Sequence, residues 1–181
     1  MKHLIAIILA MIVGAALSAP SPVWAAQREA EAAGMLAARL PVVDQRSVKL
    51  QKYLEWRRSP MAEEAAAFVA QADRHSLDWR LVAAIAGLES TFGRAVPSGS
   101  YNAWGWGIPT GASSGIAFAS WENGIATVSE GLRQRYIDEG NVTIEQIGRI
   151  YAASPTWALR VRYFMGDIEQ FTGDGQPVVE L

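Results

Sequence analysis

The sequence predicts a mostly α-helical domain, and three observations carry that prediction. Residues that cap helices recur ahead of apolar runs, at Asp44, Ser59, Ser76, Ser120, Thr143 and Ser154. Apolar residues between them return at steps of three and four, the period of one helix face. Only residues 100–120 break that period, with an alternation that belongs to strands.

The chain opens on a short basic start, Met1-Lys2-His3, and an apolar run from Leu4 to Leu17. That run has signal-peptide length rather than the roughly 20 residues that span a bilayer. Small residues frame a cleavage position at Val23-Trp24-Ala25, so residues 1–25 read as a signal peptide, with an uncleaved N-terminal anchor as the alternative. Either way the body is expected outside the cytoplasmic membrane, secreted or in the cell envelope. Residues 26–43, Ala-rich and interrupted by Pro41, read as a spacer.

Asp44 is placed to cap the first helix of the body, with Val48, Tyr53, Leu54 and Trp56 on a partial apolar face. Ser59-Pro60 is a restart, a cap hydroxyl followed by proline at the first helical position. The helix it opens presents Met61, Ala65, Phe68 and Ala72 on one side. Ser76 is expected to cap the next, with Asp78 in its first turn near the positive end of the dipole. Ser120 precedes a long stripe of Trp121, Ile125, Val128, Leu132 and Tyr136, closed by Gly140. Thr143 to Gln146 has the form of a capping box. Ser154-Pro155 opens the last helix, striped by Trp157, Val161, Phe164 and Ile168. Between them, Trp104, Trp106 and Ile108 alternate, then Ile116 and Phe118, which predicts a small β-hairpin. Residues 172–181 read as a flexible tail.

Composition narrows the chemistry. Half of the 181 residues are apolar and 19% are charged, enough for a packed core. Sixteen Lys and Arg against 18 Asp and Glu give a net charge of −2, and no strongly basic stretch points to nucleic acid as a partner. With no cysteine and His75 the only histidine beyond the leader, neither a metal nor another cofactor is expected, although calcium on carboxylates remains compatible. A secreted chain without cysteine fits a bacterial envelope better than a disulfide-stapled extracellular domain.

The candidate site lies around Glu89. Ile85 stands four residues before it and Val82 seven, which sets Glu89 on the core-facing side of its helix. Desolvation and the negative end of the helix dipole both favour the neutral acid there, and a carboxylic acid still protonated near neutral pH can donate to a leaving oxygen. Periodicity alone also fits a Glu at the core rim, reaching solvent or paired with Arg94. Downstream, Tyr101, Asn102, Trp104 and Trp106 stand among Ser98, Gly99, Ser100, Gly105 and Gly107. Aromatic planes with amides and hydroxyls suit sugar rings, whereas the same tryptophans also suit packing of a hairpin onto helices. His75, Ser76 and Asp78 lie too close in sequence for a hydrolase triad. Gly105-Trp106-Gly107 lacks the strand and helix of a nucleotide loop. Arg57-Arg58 and Arg160-Arg162 read as solvated surface able to meet an anionic polymer.

Glu89-Ser90-Thr91-Phe92-Gly93, followed by Ser100-Tyr101-Asn102-Ala103-Trp104-Gly105-Trp106-Gly107-Ile108, resembles the signature of the lysozyme-like peptidoglycan-cleaving enzymes. The nearest branch is the bacterial endo-β-N-acetylglucosaminidases, with the lytic transglycosylases as relatives. The likeness continues through Ser120-Trp121-Glu122, Tyr151-Ala152 and the Trp157 to Met165 segment. It implies a lysozyme-like helical domain with a small β-hairpin over residues 44–171. By resemblance Glu89 is the catalytic acid, and Ser90, Tyr101, Asn102, Trp104, Trp106 and Tyr151 line the substrate cleft. The implied partner is the glycan strand of peptidoglycan, met by a monomer with no stable membrane insertion once the leader is removed. The Gly-Leu-Met-Gln run of soluble lytic transglycosylases is absent, with Trp104 to Ile108 in its place. A second carboxylate is not identifiable, since Glu122, Glu130, Asp138 and Glu139 each suit a solvated helix face. Two other activities stay open: anhydro-forming transglycosylation, and a peptidoglycan-binding module that does not cut.

Overall fold

The computed structural model describes residues 22–37, 43–107 and 115–173. The apolar run of the expected leader, the centre of the expected hairpin and nearly all of the tail lie outside the described residues. Among the described residues the chain forms seven α-helices and no sheet. The first, α1 (Pro22–Ala37), occupies much of the stretch read as spacer and begins ahead of the expected cleavage position. Proline at its first position and its alanines suit a helix.

The unit from Val43 onward holds α2 (Gln45–Trp56), α3 (Ala65–His75), α4 (Leu81–Ser90), α5 (Trp121–Leu132), α6 (Ile144–Tyr151) and α7 (Trp157–Gln170). Local cap chemistry sets several starts. Asp44 accepts from the Arg46 backbone N–H at 2.8 Å, and Ser120 from that of Asn123 at 3.1 Å. Thr143 and Gln146 form the reciprocal capping box. Ser59 Oγ accepts from Met61 N–H and donates to the Phe92 carbonyl, so the restart is a buried turn, and α3 begins only after a 3-10 turn over Ala62–Glu64.

Two further expected starts differ. Ser76 ends α3 in a left-handed conformation (φ 52°), with Leu77 N–H returning to the Ala72 carbonyl. The turn into α4 is made instead by Asp78, which accepts from Arg80 N–H at 2.9 Å. At the other end of the domain, Ser154-Pro155 forms a turn, and α7 starts at Trp157 without a side-chain cap. The long stripe after Ser120 also changes pitch: α5 gives way to a five-residue π-helical segment, Arg133–Ile137, before Gly140 (φ 88°) closes it.

Helix α4 is the centre of the core. Leu81 to Gly87 are buried on every side, with α4 against α7, α3 against α2 and α5, and α6 against α7. It stops because three residues in a row turn left-handed: Thr91 (φ 54°), Phe92 (φ 58°) and Gly93 (φ 80°). A bulky residue in that region is strained by about 1–3 kcal/mol. Burial of the Phe92 ring over Gly87 offsets this, since a Cβ on Gly87 would lie 2.5 Å from Phe92 Cζ.

The predicted hairpin is not formed among the described residues. Residues 100–107 run through turns, with Tyr101, Gly105 and Gly107 at positive φ. Asn102 explains why. Its amide donates to the Trp106 carbonyl (2.9 Å) and the Ile116 carbonyl (2.8 Å), and its oxygen accepts from Trp106 N–H (2.9 Å). One side chain thus ties the two arms and does the work of a ladder. Among the described residues a single backbone bond, Phe118 N–H to Ser100 O at 2.8 Å, joins them besides.

Arg57 is not the solvated residue its sequence context predicts. Its guanidinium lies 4.7 Å from the Trp56 ring centroid and 5.3 Å from those of Tyr53 and Phe92, and it bonds Asp167 Oδ2 at 2.5 Å. Tyr53 O–H donates to the same oxygen at 2.7 Å, joining α2 to α7. Asp167→Ala is expected to destabilise the domain by about 2–4 kcal/mol, since it strands a mostly desolvated cation. The value sits below the range for a fully buried pair because 27% of the Arg57 side chain remains accessible. Denaturant unfolding measures it, and a loss under about 1 kcal/mol shows that solvent rescues the guanidinium.

Candidate active site

Glu89 is the penultimate residue of α4. The core-facing placement expected from periodicity does not hold: Glu89 is exposed. The face argument fails because α4 is apolar all round and buried all round up to Gly87, so there is no polar side to contrast with. The chain reaches solvent only at the helix end, and that end opens into a cleft of about 410 Å³.

The carboxylate is nonetheless held. Trp157 Nε1–H donates to Glu89 Oε1 at 2.7 Å. Trp157 sits at the start of α7, buried against Gly148, where a Cβ would come within 2.8 Å of Trp157 Cε3. It stacks on Tyr151 at 4.8 Å between ring centroids, and Tyr151 O–H donates to the Trp104 carbonyl at 2.7 Å. A run of contacts therefore leads from the acid through two rings to the backbone of the aromatic loop.

An indole nitrogen only donates, so Oε1 accepts in either protonation state and the acid proton resides on Oε2. Crowding by the surrounding walls raises the Glu89 pKa above the ordinary carboxylate value, while the Trp157 bond and the nearby Arg160 charge oppose the rise. The open carboxylate and the raised pKa are compatible because the walls desolvate one side of a group whose other side meets water. Trp157→Phe keeps a stacking ring and removes the N–H, so the Glu89 pKa is expected to rise further. Carboxyl ¹³C titration reads this directly, and an unmoved pKa shows that the bond does not persist in solution.

Glu89 is the one titratable side chain among the described residues lining the cleft. Glu122, Glu130, Asp138 and Glu139 are all exposed on helix faces or turns away from it, and Asp138 pairs with Arg133. Nor does Glu89 pair with Arg94. Among the described residues no group of three or more His, Asp or Glu converges to hold a metal.

The other expected site residues divide. Ser90 and Asn102 line the cleft, yet their polar atoms are engaged within the protein. Ser90 Oγ faces the carbonyls of Ala86 (3.0 Å) and Ala103 (2.8 Å) and accepts from Gly93 N–H, fixing the turn after α4. Trp104 is fully buried, its indole donating to the Val82 carbonyl at 2.9 Å. Tyr101 is exposed but sets its ring edge-on to Trp121, outside the cleft lining. Trp106 and Tyr151 line a second recess of about 250 Å³ with Arg135 and Tyr136. The two recesses share Gly105.

Spacing in the sequence does not single out Trp157, Arg135 or Tyr136 as site residues, and it marks Arg160 only as a surface cation. Trp157 carried a signal, an aromatic in the first turn of a helix, but the apolar stripe of α7 accounts for it equally well. No family model matches this chain, and no curated protein matches it significantly.

Proposed function

We propose that this chain cleaves the β-1,4 glycosidic bonds of peptidoglycan glycan strands, in the manner of an endo-β-N-acetylglucosaminidase, with Glu89 as general acid. One observation carries the reading. A single carboxyl with a raised pKa stands in an open cleft, oriented through one oxygen by Trp157 at 2.7 Å. The motif from Glu89 to Gly93 and from Ser100 to Ile108 supports the substrate class by resemblance. The basic start and the apolar run before residue 18 support action outside the cytoplasmic membrane.

Chemistry with one acid is self-consistent on this substrate. The Oε2 proton passes to the glycosidic oxygen as the C1–O bond breaks. The carbonyl oxygen of the substrate's own 2-acetamido group attacks C1, in the place a second carboxylate takes in two-acid glycosidases. The Glu89 carboxylate then takes a proton from water as that water adds to C1 and displaces the acetamido oxygen, so the acetamido group and the acid are both restored.

The same single carboxylate supports a second reading. If Glu89 deprotonates the muramyl 6-hydroxyl instead of water, ring closure yields an anhydro end, as in lytic transglycosylases. Digestion of purified peptidoglycan with product masses decides between them, because an anhydro product lacks the elements of water. Wild-type protein that binds the strands and releases nothing marks a binding module and sinks both readings.

A further inference from the structure

The recess beside the Glu89 cleft carries chemistry that neither the core nor the proton transfer uses. Its floor is Gly105 (φ 61°) and Gly107 (φ 64°), both without side chains. Trp106 forms a wall, sunk against α5 at Gly131, where a Cβ would lie 2.3 Å from Trp106 Cζ2. Tyr151 and Tyr136 complete the aromatic lining, with ring centroids 5.9 and 6.3 Å from that of Trp106. At about 250 Å³ it is smaller than the roughly 300–1,000 Å³ of pockets for drug-sized ligands, a size for one sugar ring.

Two polar groups on this recess are unspent. Among the described residues the Tyr136 hydroxyl makes no hydrogen bond and Arg135 no ion pair. The contrast with their neighbours is direct: Tyr151 O–H is bound to a carbonyl, and Arg133, two residues before Arg135, pairs with Asp138 at 2.8 Å. Residues 108–114, which follow Gly107, contain no carboxylate. The Arg135 guanidinium lies 5.8 Å from the Trp106 ring centroid, so the cation stands at the aromatic wall. Both groups come from the π-helical segment, an irregularity frequent at functional sites.

We infer that the recess formed by Trp106, Tyr136 and Tyr151, with Arg135 at its edge, is a subsite for a sugar ring bearing a carboxylate substituent. The inference rests on the glycan-cleaving reading and adds to it a preference for one of the strand's two sugars. Aromatic walls take the apolar face of the ring, the Tyr136 hydroxyl meets a sugar hydroxyl, and a planar guanidinium matches a carboxylate. In peptidoglycan only the muramyl sugar qualifies, through its lactyl ether or the stem peptide attached there. A neutral glucosamine polymer offers the same ring and no charge. Because the recess meets the Glu89 cleft at Gly105, a muramyl ring seated here occupies a site next to the one that holds the acid.

Binding measured by calorimetry on the full chain carrying Glu89→Gln tests this without turnover. The probes are a muramyl-containing tetrasaccharide with free lactyl carboxylates, the same glycan bearing stem peptides, and chitotetraose. At least one charged glycan is expected to bind about tenfold more tightly than chitotetraose, a preference that weakens as salt is raised. Which of the two binds tighter assigns the anion to the lactyl group or the peptide. Adding Arg135→Gln is expected to bring all three within about twofold while chitotetraose affinity stays unchanged. Equal affinities in the Glu89→Gln protein, or a preference that survives Arg135→Gln, overturn the inference. The two readings fail separately. A wild type inert on peptidoglycan with the Arg135-dependent preference intact removes the catalytic reading alone, and an active enzyme without the preference removes the subsite alone.

Discussion

Glu89→Gln is expected to lower the rate of glycan release from purified peptidoglycan by about 10²–10⁴-fold, the usual contribution of a positioned general acid. The substitution is a narrow one. Glutamine keeps an oxygen to accept the Trp157 N–H now bound at 2.7 Å, so the stack on Tyr151 loses nothing. What disappears is the transferable proton. The wild-type rate is expected to fall as pH rises through the Glu89 pKa, on a limb placed above the ordinary carboxylate range by the crowding around the group. Stability runs with a definite sign too. With the folded pKa raised, the unfolded chain releases its proton first, so ionisation of Glu89 destabilises the fold as pH rises through that window. The glutamine variant escapes this loss and should be at least as stable as wild type at neutral pH. Rates on labelled peptidoglycan and thermal unfolding at two pH values measure both. Undiminished release would falsify the assignment of the acid, whereas lost activity with lost stability would point to a folding defect.

What the sequence disclosed follows the range of the forces involved. Asp44, Ser120 and Thr143 cap helices through bonds to N–H groups two or three residues away, and such relations are readable in a single chain. Ser76 shows the limit of the rule. A serine between two helical patterns can open the second or close the first, and the Leu77 to Ala72 bond that decides it depends on how α3 ends. The alternation of Trp104 and Trp106 reads as a strand because aromatics favour strands. The amide of Asn102, reaching four residues forward and fourteen along, replaces the ladder. At the site, Glu89 was visible as an acid at the end of an apolar run. Trp157 was not, since it meets Glu89 across 68 residues and no spacing rule relates them. The tryptophans were ambiguous for a chemical reason: a ring beside glycines suits a sugar platform and a core wedge alike. Glycines elsewhere seat both rings, Gly124 under Trp104 and Gly131 under Trp106, but only Trp106 also lines a recess, and Trp104 is wholly enclosed.

That difference predicts the second large effect. Trp104→Ala is expected to destabilise the domain by about 3–5 kcal/mol, the range for a fully buried aromatic cut to a methyl group. Trp104 has no exposed surface, packs against Phe68 and Phe118, and donates its indole N–H to the Val82 carbonyl in α4. Helix α5 is shaped to it, because a Cβ on Gly124 would come within 2.7 Å of Trp104 Cζ3. Truncation leaves a void between α3, α4 and α5 that these elements cannot close without shifting. Trp104→Phe keeps most of the volume and loses the hydrogen bond, so its cost should be nearer 1–3 kcal/mol, estimated as about one unmade bond plus a small cavity. A sugar platform would behave otherwise, with unfolding unchanged and KM raised in the alanine variant. The consequence reaches the acid as well. The Trp104 carbonyl anchors the Tyr151 hydroxyl, and Tyr151 supports the ring that holds Glu89. In Trp104→Ala protein kept folded at low temperature, kcat is therefore expected to fall through the displaced Tyr151 and Trp157, although Trp104 itself, with no exposed surface, has no face to offer a sugar.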